Sequence, residues 1–483
     1  MTGVPIVIGI ASHGISDHGG DARLRTLLTE ELSAQRTRYP HSPVVLLTAV
    51  AEPLRPLAQA VAAPLGIAIV GGAQAAIADH CHVLIRIGPQ AAAGARDAGI
   101  HLESRFQVEF VDVLPADAPG GSWSVARHWS MGTDFDLPVS AKVGARALRR
   151  TDDFNRDVAL LREHSASAPP LFRPGHPLSD ERCARLHELF MAADTLSSTY
   201  QRKVERTFQL IFLLAGAAVV IYGLFSAIAS VAHRRFEEWL LLPYLLLLLA
   251  AYAIYYGARR SRIHQRFVEY RALAEGVRVQ FYWCALRLER AVADRYLVRH
   301  PLQVYWIRLA MRSAVSAAAP DAAPPTAAAN EDLLRYWIAR ECSYYTRTVA
   351  RAHQAQLRSR RVVGALFVLG IIATLLVLLQ SQLTVVVPYL KHLGLVSFVC
   401  PSIAAALVAL TTRLGVPYRA QHHARMLELY SQAQRYWNER GAVDVAELAG
   451  ALGEATLHES GEWTLFRRER GIDEPLSPFR RPQ

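Results

Sequence analysis

Four stretches of this chain are strongly apolar and free of Asp, Glu, Lys, Arg and His: Phe208 to Val231, Trp239 to Tyr256, Val362 to Leu379 and Leu393 to Thr412. At a rise of about 1.5 Å per residue, a helix of about 20 residues covers the roughly 30 Å of a hydrocarbon core. The pattern therefore predicts four transmembrane helices, paired as two hairpins. Around them the polarity repeats with a helical period. Phe267, Tyr270, Ala274, Val277, Phe281, Cys284 and Leu288 recur at three- and four-residue steps after the first hairpin, as do Met426, Tyr430, Ala433 and Trp437 after the second. Both segments are expected to be amphipathic cytoplasmic helices that pack as a stalk. Tyr200 to Arg206 and Glu331 to Arg361 read as helical lead-ins, and the Ala/Pro-rich tract after Ser316 reads as a linker.

The hairpins look like a repeat. Phe208 and Val362, Trp239 and Leu393, and the triplets starting at Phe281 and Arg435 are all separated by 154 residues. The organisation expected is a soluble domain over 1–165, a first hairpin with flanking helices over 180–312, a linker over 313–330, a second hairpin unit over 331–440 and a tail over 441–483.

The N-terminal pattern is different. Val4 to Ile10, Val44 to Val50, Ile67 to Val70 and Val83 to Ile87 are short apolar runs, interleaved with helix-like segments at Arg23 to Arg38 and Leu54 to Ala63. Continuously apolar strands alternating with helices predict a parallel sheet covered on both faces, a Rossmann-like α/β fold. Ligands of such sheets sit at the carboxyl ends of the strands. The turn Ser12-His13-Gly14 falls there, and Gly71-Gly72 is expected just after the third strand, where it would let a phosphate approach the backbone.

Charge sharpens the picture. Residues 1–165 hold 15 Lys+Arg against 17 Asp+Glu, and the remainder holds 38 against 25. The soluble part is thus slightly acidic, which excludes a nucleic-acid grip. Most basic residues flank the spans: Arg202, Lys203 and Arg206 precede the first, Arg259, Arg260 and Arg262 follow the second, Arg358, Arg360 and Arg361 precede the third, and Arg413 and Arg419 follow the fourth. The loops inside the hairpins hold only Arg234, Arg235 and Lys391. By the positive-inside rule both termini and the central segment are cytoplasmic. The absence of Asp, Glu, Lys, Arg and His within the spans argues against coupled transport.

The five cysteines are scattered singly and read as reduced thiols. Asp79-His80-Cys81-His82 offers metal-ligand types but runs into a strand, whose neighbours face opposite ways, so no metal is expected. No G-x-S-x-G, H-E-x-x-H or P-loop is present, and no enzymatic activity is expected.

The segments IGIASHG, RYPHSPVVLLTAVAEPLRPLAQAVAAPLG and AAIADHCHVLIRI resemble, in order and spacing, the SLOG branch of Rossmann-like domains. The two-span units, with RFVEYRALAEGVRVQFYW and Glu462-Trp463, are similar to SLATT-type membrane effectors. The resemblance implies a bacterial anti-phage protein of the inner membrane that senses a nucleotide-derived signal, an ADP-ribose derivative or cyclic oligonucleotide made by a separate enzyme. It implies no resident cofactor, and damage to the bilayer by a homo-oligomeric pore. Ser12, His13 and Gly14 would then hold phosphate, Arg55 would pair with it, Glu52 would accept from ribose, and Gly71 and Gly72 would line the approach. Pro53 stands where the family has Gly after its Ala-Glu pair, and the family's later phosphate loops have no counterpart in GPQAAAGARDAG. Small residues on the spans, Gly216 and Gly223 foremost, are expected to let protomers pack closely in lipid, the alternative being that they only pack the bundle within one chain. The alternative is a constitutive scaffold whose α/β domain binds a protein.

Overall fold

A computed structural model describes residues 3–12, 22–49, 54–72, 81–87, 108–114, 123–129, 132–134, 137–139, 141–161, 170–173, 181–229, 238–297, 301–316, 326–383, 393–439 and 444–469. The chain forms two compact units. The first comprises Met1–Leu196, Glu269–Trp337 and Ala442–Gly461, and the second Ser197–Val268, Ile338–Gly441 and Glu462–Gln483.

The first unit begins with β1 (Ile6–Ser12), α1 (Ala22–Arg38), β2 (Val44–Ala49), α2 (Leu54–Ala62), β3 (Ala68–Gly72), β4 (Val83–Ile87), β5 (Glu109–Leu114) and β6 (Ser124–Trp129). These strands form one sheet in the order β3-β2-β1-β4-β5-β6. The first five are parallel and β6 runs antiparallel to β5, so the sheet is mixed where an all-parallel one was expected. The antiparallel edge is also open to solvent: Ser124 to Arg127 are exposed. A short β7 (Gly132–Asp134) and β8 (Leu137–Val139) pair separately. On one sheet face Val7, Ala11, Leu47, Cys81, Leu84, Val108 and Phe110 form a buried apolar cluster.

Helix α3 (Ala141–Leu161) is fastened to the amino ends of β1 and β2. Asn155 accepts from the Val4 N–H at 2.8 Å and donates to its carbonyl at 2.9 Å, standing in for a neighbouring strand. Asp152 accepts from the His41 N–H and the Ser42 hydroxyl, both at 2.9 Å.

The helical remainder consists of α4 (Glu181–Ala229), α5 (Glu238–Arg260), α6 (Ile263–Ala285), α7 (Pro301–Ser316), α8 (Ala327–Leu383), α9 (Leu393–Arg413), α10 (Val416–Glu439) and α11 (Val445–Glu469). Each lead-in is continuous with its span, giving helices of 49 and 57 residues. The linker is shorter than expected. Helix α7 runs to Ser316 and α8 begins at Ala327, where the Thr326 hydroxyl accepts from the Ala329 N–H in a cap that favours helix initiation. The expected tail is largely the 25-residue α11, whose Ala449, Leu452 and Leu457 are buried.

Helix α6 departs from the amphipathic expectation. From Phe267 to Trp283 every residue except Arg271 is buried, Glu269, Glu275, Arg278 and Gln280 included. Its charges are paired internally instead of facing water, as buried charges require. Within the first unit, its Phe281-Tyr282-Trp283 triplet reaches three elements. Phe281 meets His187 of α4 with ring centroids 6.2 Å apart, Tyr282 stacks on Trp337 of α8 at 4.3 Å, and the Trp283 indole donates to Ala449 O of α11 at 3.1 Å.

Among the described residues four helices, α4, α5, α8 and α9, are long and apolar enough to cross a membrane. Only 6–11% of each apolar window is buried within the protein. Leu213, Leu246, Leu249, Tyr252, Ile371, Leu375 and Leu379 are exposed, a surface no monomeric soluble protein sustains. Several buried positions of the spans are small, Ala218, Ala251, Ala373 and Ala404 among them, and Phe208 is buried at the start of the first. Hydroxyls within the spans are satisfied by their own helices, Thr374 donating to Gly370 O and Ser402 to Phe398 O, both at 2.8 Å.

Candidate functional site

The five parallel strands end along one edge, and the chain reverses its direction of sheet growth between β1 and β4. That switch point is where an open α/β sheet leaves a crevice. Ser12 is the last residue of β1 and pairs in register with Ile87, the last of β4, so it stands at the switch point. Gly71 and Gly72 are the last two residues of β3, opposite Thr48 and Ala49 of β2. The glycines therefore belong to the strand itself, a correction to their expected place after it: register with β2 carries the pairing through them. Arg55 is exposed on the first turn of α2. His13, Gly14 and Glu52 lie outside the described residues. The structure thus brings Ser12, Gly71 and Gly72 to one edge.

Sequence reasoning missed Arg86 and Asp112 at that edge. They are direct partners on β4 and β5, and Arg86 also lies beside Ala11 of β1. The guanidinium grips the carboxylate through two bonds, Nε to Oδ1 at 2.6 Å and Nη2 to Oδ2 at 2.7 Å, and lies 4.4 Å from the Phe110 ring centroid. Such a bidentate pair neutralises both charges, so an arriving anion must compete with Asp112 for Arg86. The signal for it was an arginine inside an apolar strand, VLIRI.

Of the Asp79 to His82 group, Cys81 lies in the apolar cluster and His82 serves the backbone. The Val7 N–H donates to His82 Nδ1 at 2.8 Å while the His82 N–H donates to Val7 O at 2.7 Å. Burial pushes this imidazole down to about 3, so it is neutral with its proton on Nε2. Asp79 and His80 lie outside the described residues.

The opposite end of the sheet carries a second constellation, also unforeseen. On the far face of α3, Arg150 donates to Glu269 Oε1 at 2.6 Å, and Trp306 of α7 donates to the other oxygen at 2.8 Å. Asp157 accepts from the Tyr270 hydroxyl at 2.7 Å, and Phe154 packs edge-on against Tyr270. One helix thus joins the start of β1 to the helices that follow the first hairpin. Glu269 and Asp157 are each about 5% exposed, so these are desolvated, fully partnered contacts.

The glycines of the spans divide. A side chain at Gly216 would meet open space, whereas one at Gly223 would meet Leu395, Phe398 and Val399 of α9. Gly223 accordingly packs within the chain, and Gly216 alone of the two presents a free face. Gly370 of the third span receives the ring of Pro401.

Comparison of the chain with protein-family models, with curated proteins and with solved structures finds no match.

Proposed function

We propose that this protein is a signal-gated membrane effector. A nucleotide-derived small molecule, an ADP-ribose derivative or cyclic oligonucleotide, is received at the carboxyl edge of the sheet around Ser12, Gly71 and Gly72. Arg55 supplies positive charge, and Ser12 together with the adjoining backbone N–H groups binds phosphate. The observation that carries the reading is α3. It is bonded at Asn155 to the start of β1, whose other end is Ser12, and at Arg150 and Asp157 to Glu269 and Tyr270, which follow the first membrane hairpin. A shift of β1 on ligand binding has a short, packed route to the helix leading out of the spans.

The spans contain no Asp, Glu, Lys, Arg or His, and they interlock closely, Gly223 against Leu395 and Phe398 of α9 and Gly370 against Pro401, so one protomer encloses no pore. Damage to the bilayer then requires several copies, with Gly216 at their contact. The succession of long helix, spanning helix and following helix occurs twice, as α4–α5–α6 and α8–α9–α10, in keeping with a duplicated unit. With the SLOG and SLATT resemblances, this supports a role in bacterial anti-phage defence at the inner membrane, both termini being cytoplasmic.

The test is titration of the full-length protein in lipid nanodiscs with a panel of ADP-ribose derivatives and cyclic nucleotides, followed by dye release from proteoliposomes. Binding heat and ligand-dependent release are expected. No heat with any member of the panel removes the sensor role, and unchanged release despite binding removes the effector role.

A further inference from the structure

We infer that Cys183 and Cys284 form a redox-responsive thiol pair that a hydroperoxide converts to a disulfide. Their Sγ atoms lie 3.5 Å apart although 101 residues separate them in the chain. A disulfide bond is about 2.05 Å long, so closure needs the sulfurs to approach by about 1.5 Å. Both residues sit in terminal turns, Cys183 third in α4 and Cys284 next to last in α6, where helices yield most readily. The two helices run antiparallel here, and the contact is held on successive turns. His187 packs on Phe281, and the Arg271 guanidinium donates to Asp194 at 2.9 Å. The thiols are therefore presented to each other by packed helices.

Access sets the order of events. Cys183 is 3% exposed, whereas Cys284 is half-buried and reachable by a small oxidant. The Cys284 thiolate attacks the terminal oxygen of the hydroperoxide, forming an S–O bond as the O–O bond breaks. This gives a sulfenic acid, and the departing hydroxide, or alkoxide from an organic peroxide, takes up the proton that the Cys284 thiol lost and leaves as water or an alcohol. The Cys183 sulfur then attacks the Cys284 sulfur: the S–S bond forms, the S–O bond breaks, and the hydroxyl leaves as water with the Cys183 proton. Two thiols lose two electrons and the O–O bond gains them. A dithiol reductant reverses the step by exchange. In a reducing compartment such a pair stays open until oxidant arrives. The bond would close a covalent ring through α4, α5 and α6, tying together the entry and exit helices of the first hairpin. The inference stands apart from any ligand at the sheet.

The experiment uses the reduced full-length protein in nanodiscs, treated with hydrogen peroxide, alkylated and digested with trypsin. Mass spectrometry is expected to find the peptide 183–185 joined to 279–287, and a reductant to release it. In Cys183→Ser, dimedone should trap a sulfenic acid on Cys284, and in Cys284→Ser, Cys183 should remain alkylatable. Both native thiols staying alkylatable at peroxide levels that oxidise the partner-free Cys284 of Cys183→Ser, or Cys284 joining a different cysteine, overturns the inference. A sulfenic acid trapped on Cys183 in Cys284→Ser overturns the assigned order.

Discussion

Gly415 and Arg467 are shaped to each other: Gly415 turns the chain at φ +64° after the fourth span, and the Arg467 guanidinium fills the space its missing Cβ leaves. From there Nη1 donates to Leu414 O at 2.9 Å, placing a cation on the last carbonyls of α9, where the helix dipole favours it. Burial lowers this arginine to about 10, with Arg419 adding to the effect and Glu205 opposing it. Gly415→Ala combines backbone strain with displacement of the cap and is expected to cost roughly 1–3 kcal/mol. Arg467→Ala removes the same cap. A double-mutant cycle by thermal unfolding in detergent should give a coupling above about 0.5 kcal/mol, and additivity would separate the two residues.

Acid should loosen the first unit through His82. Its unfolded value lies near 6.5 and its folded value at about 3, so between them the unfolded chain binds more protons. The stabilisation is complete above about pH 6.5 and is lost as pH falls toward 3, by about 1.4 kcal/mol per unit. His82→Asn keeps an acceptor for the Val7 N–H but cannot titrate. Unfolding midpoints of the variant should fall less between pH 7 and 4.5 than those of the native chain. His264 of the second unit, lowered to about 4 mainly by burial, gives a residual slope in both proteins.

Glu269→Gln removes the carboxylate charge that Arg150 meets at 2.6 Å while preserving shape. Breaking a buried pair from one side costs roughly 3–5 kcal/mol. Hydrogen exchange should speed up in α3 and α7, and exchange in β2 and β3 should change far less. Unchanged protection of α3 would show that the Glu269 bridge contributes nothing to its docking.

Two glycines of the spans should behave oppositely. At Gly370 an added Cβ would lie 2.6 Å from Pro401 Cγ, and the ring has no rotamer to retreat into. Gly370→Ala is therefore expected to destabilise by about 1–3 kcal/mol. Gly216→Ala meets open space and should be neutral or slightly stabilising by helix propensity. Gly216→Leu should leave the midpoint unchanged yet reduce assembly measured by cross-linking in nanodiscs, and undiminished cross-linking would remove Gly216 from the proposed contact.

The spans and the strands β1, β2 and β4 were legible because each is set by a local property, a predominantly apolar run of the right length. Strand β5 was not. Glu109 and Asp112 interrupt its pattern, and their charges are cancelled by Arg38 and Arg86, which come from distant segments. Helix α6 misled for the same reason, its carboxylates marking an apparent water-facing side that is in fact buried against paired cations. In α11 most buried positions are Ala, Gly, Thr and Ser, and with only Leu452 and Leu457 as large apolar residues among them no periodic signal arises. Of the candidate site, the strand pattern placed Ser12 and the two glycines at the carboxyl edge, although the turn expected at Gly71 and Gly72 is the end of β3. The Arg86–Asp112 pair and the Cys183–Cys284 contact depend on tertiary pairing alone.

The first unit draws on three stretches of sequence that emerge from the ribosome far apart in time. Trp283 is made long before Ala449, the carbonyl its indole binds, and Gly453 leaves room for that same indole. Between them the chain must supply the third and fourth apolar helices. The packing around Trp283 therefore cannot close until those helices have been made, and a chain that stops before α11 leaves this indole without its carbonyl partner.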